Sequence, residues 1–366
     1  MKVLVAPQEF KGSLSAEEAA LAIARGIRAA QPGWELDVLP LSDGGPGFVT
    51  AMRLALRGDV RATVALDPLG RKVVARYMWS GRNDLVAVEA AQANGLFHVR
   101  PEERDPLRAD TLGVGQILLA AAEDEPKTLI VGVGGSATTD GGAGMARALG
   151  ARLLDADGNE LGPGGAELAR LDRIEWTRPP EFERITDIAV ATDVTNPLTG
   201  PQGAAHVYGP QKGATPEDVE LLDRALRHYA AIVRRDLGVD VEHLPGSGAA
   251  GGLAAGLVAF LGARIVSGFD VVAEATNLAE RFAAADIVVT GEGSFDSQSL
   301  QGKTTGRLLE MGKRAKKRVV VFAGRGSAEA PELRTLAGLE ADEGRAMAEA
   351  APLLTELARR WAAGAP

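Results

Sequence analysis

The stretch Gly132–Leu153, GVGGSATTDGGAGMARALGARL, follows the apolar run Thr128–Val131 and leads into a helix-like run that starts at Met145. A short apolar run of this kind predicts a buried strand. Glycines between a strand and a helix let the backbone adopt positive φ and approach a ligand closely. The first N–H groups of a helix have no partner within it, so the start of a helix attracts anions. The stretch therefore predicts a strand, an anion-binding loop and a helix.

The polar side chains of this loop are expected to be exposed and to line the anion pocket. Gly134, Gly135 and Ser136 are predicted to cradle the anion, and Thr138 adds a hydroxyl donor. Asp140 would repel a bare phosphate, but a carboxylate at this place can hold Mg²⁺ or accept a proton. The loop is thus predicted to bind substrate or phosphate.

The same order of strand, glycine loop and helix recurs near both ends of the chain, and this predicts an α/β fold. Residues 61–91 differ, because they contain three strand-like runs joined by short turns, as in a meander. The pattern predicts one α/β domain built from both chain ends and a second α/β domain inserted between them. The residues from Glu340 onward are expected to form one polar-faced helix with a frayed tail.

The composition of the chain excludes several classes of function. The chain has 366 residues, a net charge of −9 and no cysteine. An acidic protein has no general attraction for nucleic acid or anionic membranes, and the lack of cysteine excludes disulfides, thiolate catalysis and cysteine-ligated metals. No stretch approaches 18 apolar residues, so no membrane span is expected. These features predict a cytoplasmic protein that binds small molecules.

Further acids and lysines lie on loops that follow predicted strands. They are Lys11, Asp43, Asp193 with the neighbouring Thr195 and Asn196, Glu292, Asp296 and Lys303. Carboxylates that hold Mg²⁺, together with lysines and backbone N–H groups, are the groups that phosphoryl transfer from ATP requires. A weaker alternative is an oxidoreductase that uses NAD, because GVGGSA matches G-x-G-x-x-A and Asp155 or Asp157 follows near the spacing of a ribose-binding acid.

These loops, in this order, resemble the bacterial glycerate kinase family, which phosphorylates D-glycerate with ATP. The resemblance covers the chain from its first strand to about Gly324. It is carried by the stretches FKGSLSA, DGG, DPL (Asp105–Leu107), GGSATTDGGAGMARALGARL, DVTNPLTGPQGAAHVYGPQKGATP, GGLAAGL and TGEGSFDSQSLQGK.

The resemblance implies two α/β domains with an active site in the cleft between them. One is a flavodoxin-like parallel sheet built from residues 1–60 and 276–366. The other is an inserted mixed-sheet domain, residues 61–275, similar to the restriction-endonuclease fold. The implied reaction is ATP-dependent phosphorylation of D-glycerate to 2-phosphoglycerate.

Site roles follow from this resemblance and from the loop positions. Asp193 is predicted to act as the base or to orient the substrate, with Lys11 and Asp43 as further catalytic residues and Asp296 as a Mg²⁺ ligand. The groups predicted to bind substrate or phosphate are Gly134, Gly135, Ser136, Thr138, Asp140, Thr195, Asn196, Glu292 and Lys303.

Two loops depart from the family pattern. The first loop usually reads Pro-Asp-Ser-Phe-Lys but is Pro-Gln-Glu-Phe-Lys here, with Gln8 in place of the acid. The usual Asp-Gly-Gly-Glu-Gly has Pro46 in place of its glutamate. A second alternative is therefore a sensor of small hydroxy acids that has a kinase-like fold and lacks catalysis.

Overall fold

The computed structural model describes residues 1–297, 299–300 and 303–364. Part of the predicted TGEGSFDSQSLQGK loop, namely Gln298, Gln301 and Gly302, lies outside the described residues. No described helix is both long enough and apolar enough to cross a membrane.

The chain forms two compact units. The first unit comprises Met1–Asp43, Thr50–Ala55 and Phe269–Pro366, and the second comprises Gly44–Val49 and Leu56–Gly268.

The strands are β1 (Lys2–Val5), β2 (Glu35–Val38), β3 (Asp59–Leu66), β4 (Lys72–Ser80), β5 (Leu85–Glu89), β6 (Thr128–Gly132), β7 (Arg152–Leu154), β8 (Arg173–Glu175), β9 (Asp187–Ala191), β10 (Arg264–Val266), β11 (Ile287–Phe295), β12 (Arg318–Gly326) and β13 (Leu333–Thr335).

The helices are α1 (Ala16–Ala30), α2 (Phe48–Leu56), α3 (Ala91–Asn94), α4 (Leu112–Ala122), α5 (Ala143–Ala148), α6 (Ala204–Tyr208), α7 (Pro216–Leu237), α8 (Leu253–Leu261), α9 (Gly268–Ala275), α10 (Leu278–Ala284), α11 (Thr304–Ala315), α12 (Glu343–Ala348) and α13 (Ala350–Ala363).

The first unit contains a five-stranded sheet in the order β2-β1-β11-β12-β13, and all its pairs are parallel. Numbered within the unit, this is the order 2-1-3-4-5 of flavodoxin-like folds. The order reverses between β1 and β11, where Val5 lies opposite Val289. Ligands of such sheets bind beyond the carboxyl ends of the strands at this reversal.

The C-terminal segment differs from the expectation of one polar-faced helix. It forms α12 and α13, and α13 buries Leu354 and Trp361 in the core of the first unit. It packs tightly on α1, because a Cβ at Gly26 would lie 2.2 Å from the carbonyl oxygen of Thr355. α13 therefore has an apolar face, and in the sequence the charged residues Glu356, Arg359 and Arg360 lie between its apolar positions.

The second unit contains a six-stranded sheet in the order β10-β9-β6-β5-β4-β3. The strands β5, β6, β9 and β10 pair in parallel, whereas β3, β4 and β5 form an antiparallel meander. The predicted α/β fold with a flavodoxin-like parallel sheet and a separate mixed sheet is confirmed.

Candidate active site

One edge of the mixed sheet gathers several predicted site residues. Across this sheet Glu89 lies opposite Gly132, Gly132 opposite Ala191, and Ala191 opposite Val266. These four residues end β5, β6, β9 and β10, so the loops that follow leave the sheet from a single row. Gly134 and Asp193 each follow two residues after their row position, and parallel pairing therefore places their loops side by side.

Asp193 is held at this edge by the neighbouring loop. The hydroxyl of Ser267, the residue after β10, donates to Oδ1 of Asp193 at 2.8 Å. Asp193 is half-buried. A half-buried, oriented carboxylate at a sheet edge can accept a proton from a bound hydroxyl or ligate a cation.

The glycine loop presents its backbone at the same edge. The N–H of Gly134 is already used, because it donates to the carbonyl of Gly44 at 3.0 Å. Gly135 is exposed and has φ of +77°. Among the described residues, no group accepts a hydrogen bond from the N–H of Gly135 or Ser136. Two adjacent N–H groups without an acceptor, the first of them on the positive-φ residue Gly135, can bind an anion.

The polar side chains farther along this loop are not exposed as expected. Thr138 and Asp140 are fully buried. The carboxylate of Asp140 accepts from the N–H groups of Gly142 and Gly144, both at 3.1 Å, and from the N–H and hydroxyl of Thr111 at 3.0 and 2.7 Å. Asp140 therefore fixes the glycine loop in place, because its carboxylate oxygens accept hydrogen bonds both from N–H groups of the loop and from Thr111, which precedes α4.

Buried charges lie next to Asp140. The Nζ of Lys212 donates to the carbonyl of Thr138, and burial lowers the pKa of Lys212 to about 7, although the charge of Asp140 opposes this change. Burial, followed by the charge of Asp140, raises the pKa of Asp110 to about 6. Asp110 also pairs with Arg147 at 2.6 Å. The exposed part of the glycine loop thus rests on a buried charged network.

Two other predicted residues follow Asp193. Thr195 is exposed. The amide of Asn196 donates to the carbonyl of Gln202 at 2.8 Å and accepts from the hydroxyl of Tyr208 at 2.7 Å. Asn196 therefore holds the loop that leads into α6.

In the first unit, Glu292 lies where the strand order reverses. Gln8 continues from β1 and donates from its backbone N–H to the carbonyl of Gly291 at 2.9 Å. Its side-chain amide donates to Oε2 of Glu292 at 3.2 Å, and both side chains are buried. Burial raises the pKa of Glu292, against smaller effects of nearby hydroxyls and of Lys303. An uncharged amide at position 8 thus meets this carboxyl without charge repulsion.

The remaining predicted residues of the first unit lie on loops at this end of its sheet. Lys11 is exposed on the loop after β1, and Asp43 is half-buried beyond β2. Lys303 directly precedes α11. Asp296 closes a turn, since its Oδ1 accepts from the N–H of Ser299 at 3.2 Å.

The predicted Mg²⁺ requires oxygen ligands from acidic side chains or from the substrate. Within residues 1–297, 299–300 and 303–364, no three acidic or histidine side chains are grouped to hold a metal ion by themselves. Mg²⁺ in kinases is bound by one or two carboxylates and by substrate phosphates. A single carboxylate, as predicted for Asp296, is compatible with that mode, because substrate phosphates supply the other ligands.

Sequence reasoning missed four residues of these clusters: Gln8 as the partner of Glu292, Glu89, Lys212 and Ser267. Glu89 is buried, its pKa is raised by burial, and it accepts from the N–H groups of Gly47 and Val49 at 3.0 and 3.3 Å. An isolated acid at the end of an apolar strand was a usable signal for Glu89. Ser267 carried none, because its partner lies 74 positions earlier.

Almost the whole chain is similar to proteins of one known family. The model of the glycerate kinase family matches residues 3–363. The chain belongs to the glycerate kinase family. It is 45% identical over 324 residues to the glycerate 2-kinase of Escherichia coli K12, covering 88% of this chain and 85% of that protein. It is 44% identical over 323 residues to the glycerate kinase of Halalkalibacterium halodurans, with 88% and 85% covered.

A solved structure agrees with this membership of the glycerate kinase family. A crystal structure from Salmonella typhimurium LT2, provisionally named glycerate kinase 2, has a TM-score of 0.80 and 43% identity, covering 99% of this chain and 97% of that chain. The predicted family, and with it the prediction of an enzyme, is confirmed. The roles of the individual site residues stay predictions, and so does the predicted cleft.

Proposed function

We propose that this protein transfers the γ-phosphoryl group of ATP to the C2 hydroxyl of D-glycerate, giving 2-phosphoglycerate and ADP. The observation that carries this proposal is the placement of two groups on loops after adjacent strands: the N–H groups of Gly135 and Ser136, which have no acceptor among the described residues, after β6, and the oriented carboxylate of Asp193 after β9. Membership of the glycerate kinase family supports the acceptor. The name of the Escherichia coli relative, glycerate 2-kinase, supports the carbon.

In this proposal the two N–H groups bind phosphate oxygens and stabilise the charge that builds up on them during transfer. Asp193, held by Ser267, accepts the proton of the attacking hydroxyl. The new bond forms between that hydroxyl oxygen and the γ-phosphorus, and the bond to the bridging oxygen breaks with its electrons leaving on ADP. Mg²⁺, when bound, neutralises the phosphate charge.

The other predicted residues have supporting roles in the proposal. Lys11 and Lys303 bind phosphate or the glycerate carboxylate as point charges. Asp140 and Thr138 act through the loop they anchor, because both are fully buried.

The two alternatives receive less support. The carboxylate of Asp155 accepts from the N–H groups of Asp157 and Asn159 and pairs with Arg170 at 2.8 Å, so it serves a turn. A sensor remains distinguishable by experiment, since it would bind glycerate without turnover.

The test measures ATP consumption with D-glycerate and Mg²⁺, with the product identified by phosphorus NMR. We expect 2-phosphoglycerate. Asp193→Asn should lower kcat by about 10²- to 10⁴-fold, the usual contribution of a general base. Asp187→Asn is the matched control, because Asp187 lies at the other end of β9 in an exposed pair with Arg264. Unchanged turnover in folded Asp193→Asn would remove Asp193 from the reaction.

A further inference from the structure

Phe97 is an outlier among the aromatic side chains. The chain has nine phenylalanines. Eight of them are at most 4% exposed, whereas Phe97 is 65% exposed. A single exposed apolar residue is common on protein surfaces, so exposure alone assigns no role to Phe97. Phe97 is distinguished by its position next to the glycine loop and by the groups that pack against its ring.

Phe97 lies on a segment that is hydrogen-bonded to the glycine loop. The N–H of Leu96 donates to the carbonyl of Gly135, and the N–H of Ala137 donates to the carbonyl of Asn94, both at 2.8 Å. These bonds form an antiparallel bridge in which Gly95 lies opposite Ser136. Phe97 therefore lies two residues from Gly95, the residue opposite Ser136, in a 3₁₀ turn that spans Leu96–His98.

The ring is supported from behind. A Cβ at Gly95 would lie 2.5 Å from Cε1 of Phe97, so the ring rests against the backbone of Gly95. The ring of His98 is 4.3 Å away between centroids, at an interplanar angle of 40°. The carbonyl of His98 in turn accepts from the guanidinium of Arg71 at 2.7 Å. The aromatic surface is thus fixed in place while most of the ring faces solvent.

We propose that Phe97 is the residue on which the purine of the phosphoryl donor stacks, with the donor's phosphates at the N–H groups of Gly135 and Ser136. This rests on the proposed function, because it takes a nucleoside triphosphate as donor. Exposed aromatic rings stack on the π-faces of bases. The phosphate-binding turn and the ring are joined by backbone hydrogen bonds, so one rigid segment holds both ends of the nucleotide.

The test compares wild type, Phe97→Ala and Phe97→Trp in steady-state kinetics. Phe97→Ala should raise the KM for ATP about 5- to 150-fold, the range for loss of one base stack, and leave the KM for D-glycerate within about twofold. Inorganic tripolyphosphate has no base, so its inhibition constant should be equal in wild type and Phe97→Ala. Val74→Ala, an exposed apolar residue of the same unit, is the matched control and should behave as wild type.

The Phe97→Trp variant supplies a readout that does not need turnover. Its additional indole fluorescence should be quenched by ATP and not by tripolyphosphate, because only ATP carries a base. If wild type turns over and Phe97→Ala has an unchanged KM for ATP, the stacking proposal is wrong and the kinase proposal stands. If wild type does not turn over, the kinase proposal fails, and quenching by ATP alone still supports a base site at Phe97. Absence of quenching would overturn that site as well.

Discussion

Lys212→Met is expected to remove a pH dependence of stability. Lys212 is 2% exposed, and its Nζ donates to the carbonyl of Thr138. Burial lowers its pKa from the ordinary 10.5 to about 7, against the opposing charge of Asp140. The folded protein therefore releases this proton near pH 7, while the unfolded chain keeps it to a pH near 10.5.

The sign and size follow from proton linkage. Between pH 7 and 10.5 the unfolded state binds more protons at this site, so the free energy of unfolding rises with pH. Each pH unit in that window contributes about 1.4 kcal/mol, which amounts to about 2 to 3 kcal/mol between pH 7 and 9. Below pH 7 both states are protonated, and the full cost of burying the charge is present.

The assay is urea unfolding of both proteins at pH 7, 8 and 9 at constant ionic strength. Groups that do not interact with Lys212 titrate alike in the two proteins, so their contributions cancel in the difference between the two free energies of unfolding. Loss of the bond to Thr138 changes that difference by a constant, not by a slope. Lys313→Met, at an exposed lysine, is the control and should follow wild type at every pH. Parallel curves for wild type and Lys212→Met would refute the reasoning.

Two glycine substitutions test the packing around the site and the fold. Gly251→Ala should lower the free energy of unfolding by about 2 to 4 kcal/mol, because φ is +68° and the new Cβ would lie 1.9 Å from the carbonyl of Thr138. Gly238→Ala has a similar φ of +72° and no atom within 4 Å, so it should cost only about 1 kcal/mol; equal losses in urea unfolding would contradict the packing argument. Gly26→Ala should separate α1 from α13 and cost about 1 to 3 kcal/mol, since the new Cβ would lie 2.2 Å from the carbonyl of Thr355. A melting temperature equal to that of wild type would show that these helices adjust without strain.

The amino-acid sequence by itself determined the α/β class, the meander of β3 to β5, the glycine loop after β6 and membership of the family. Each depends on local periodicity or on a contiguous motif. The acids after strands were found for the same reason, since a strand end and a following carboxylate are adjacent in the chain.

Only the tertiary structure decided which polar groups are buried and which meet. Asp140 and Asp193 have similar sequence settings, yet Asp140 is fully buried beneath its loop and Asp193 is half-buried at the sheet edge. Gln8 and Glu292 are 284 positions apart and share a hydrogen bond. These outcomes depend on strand order and on what packs above each loop. Both are set by contacts between segments distant in the chain, and no local pattern of residue types encodes them.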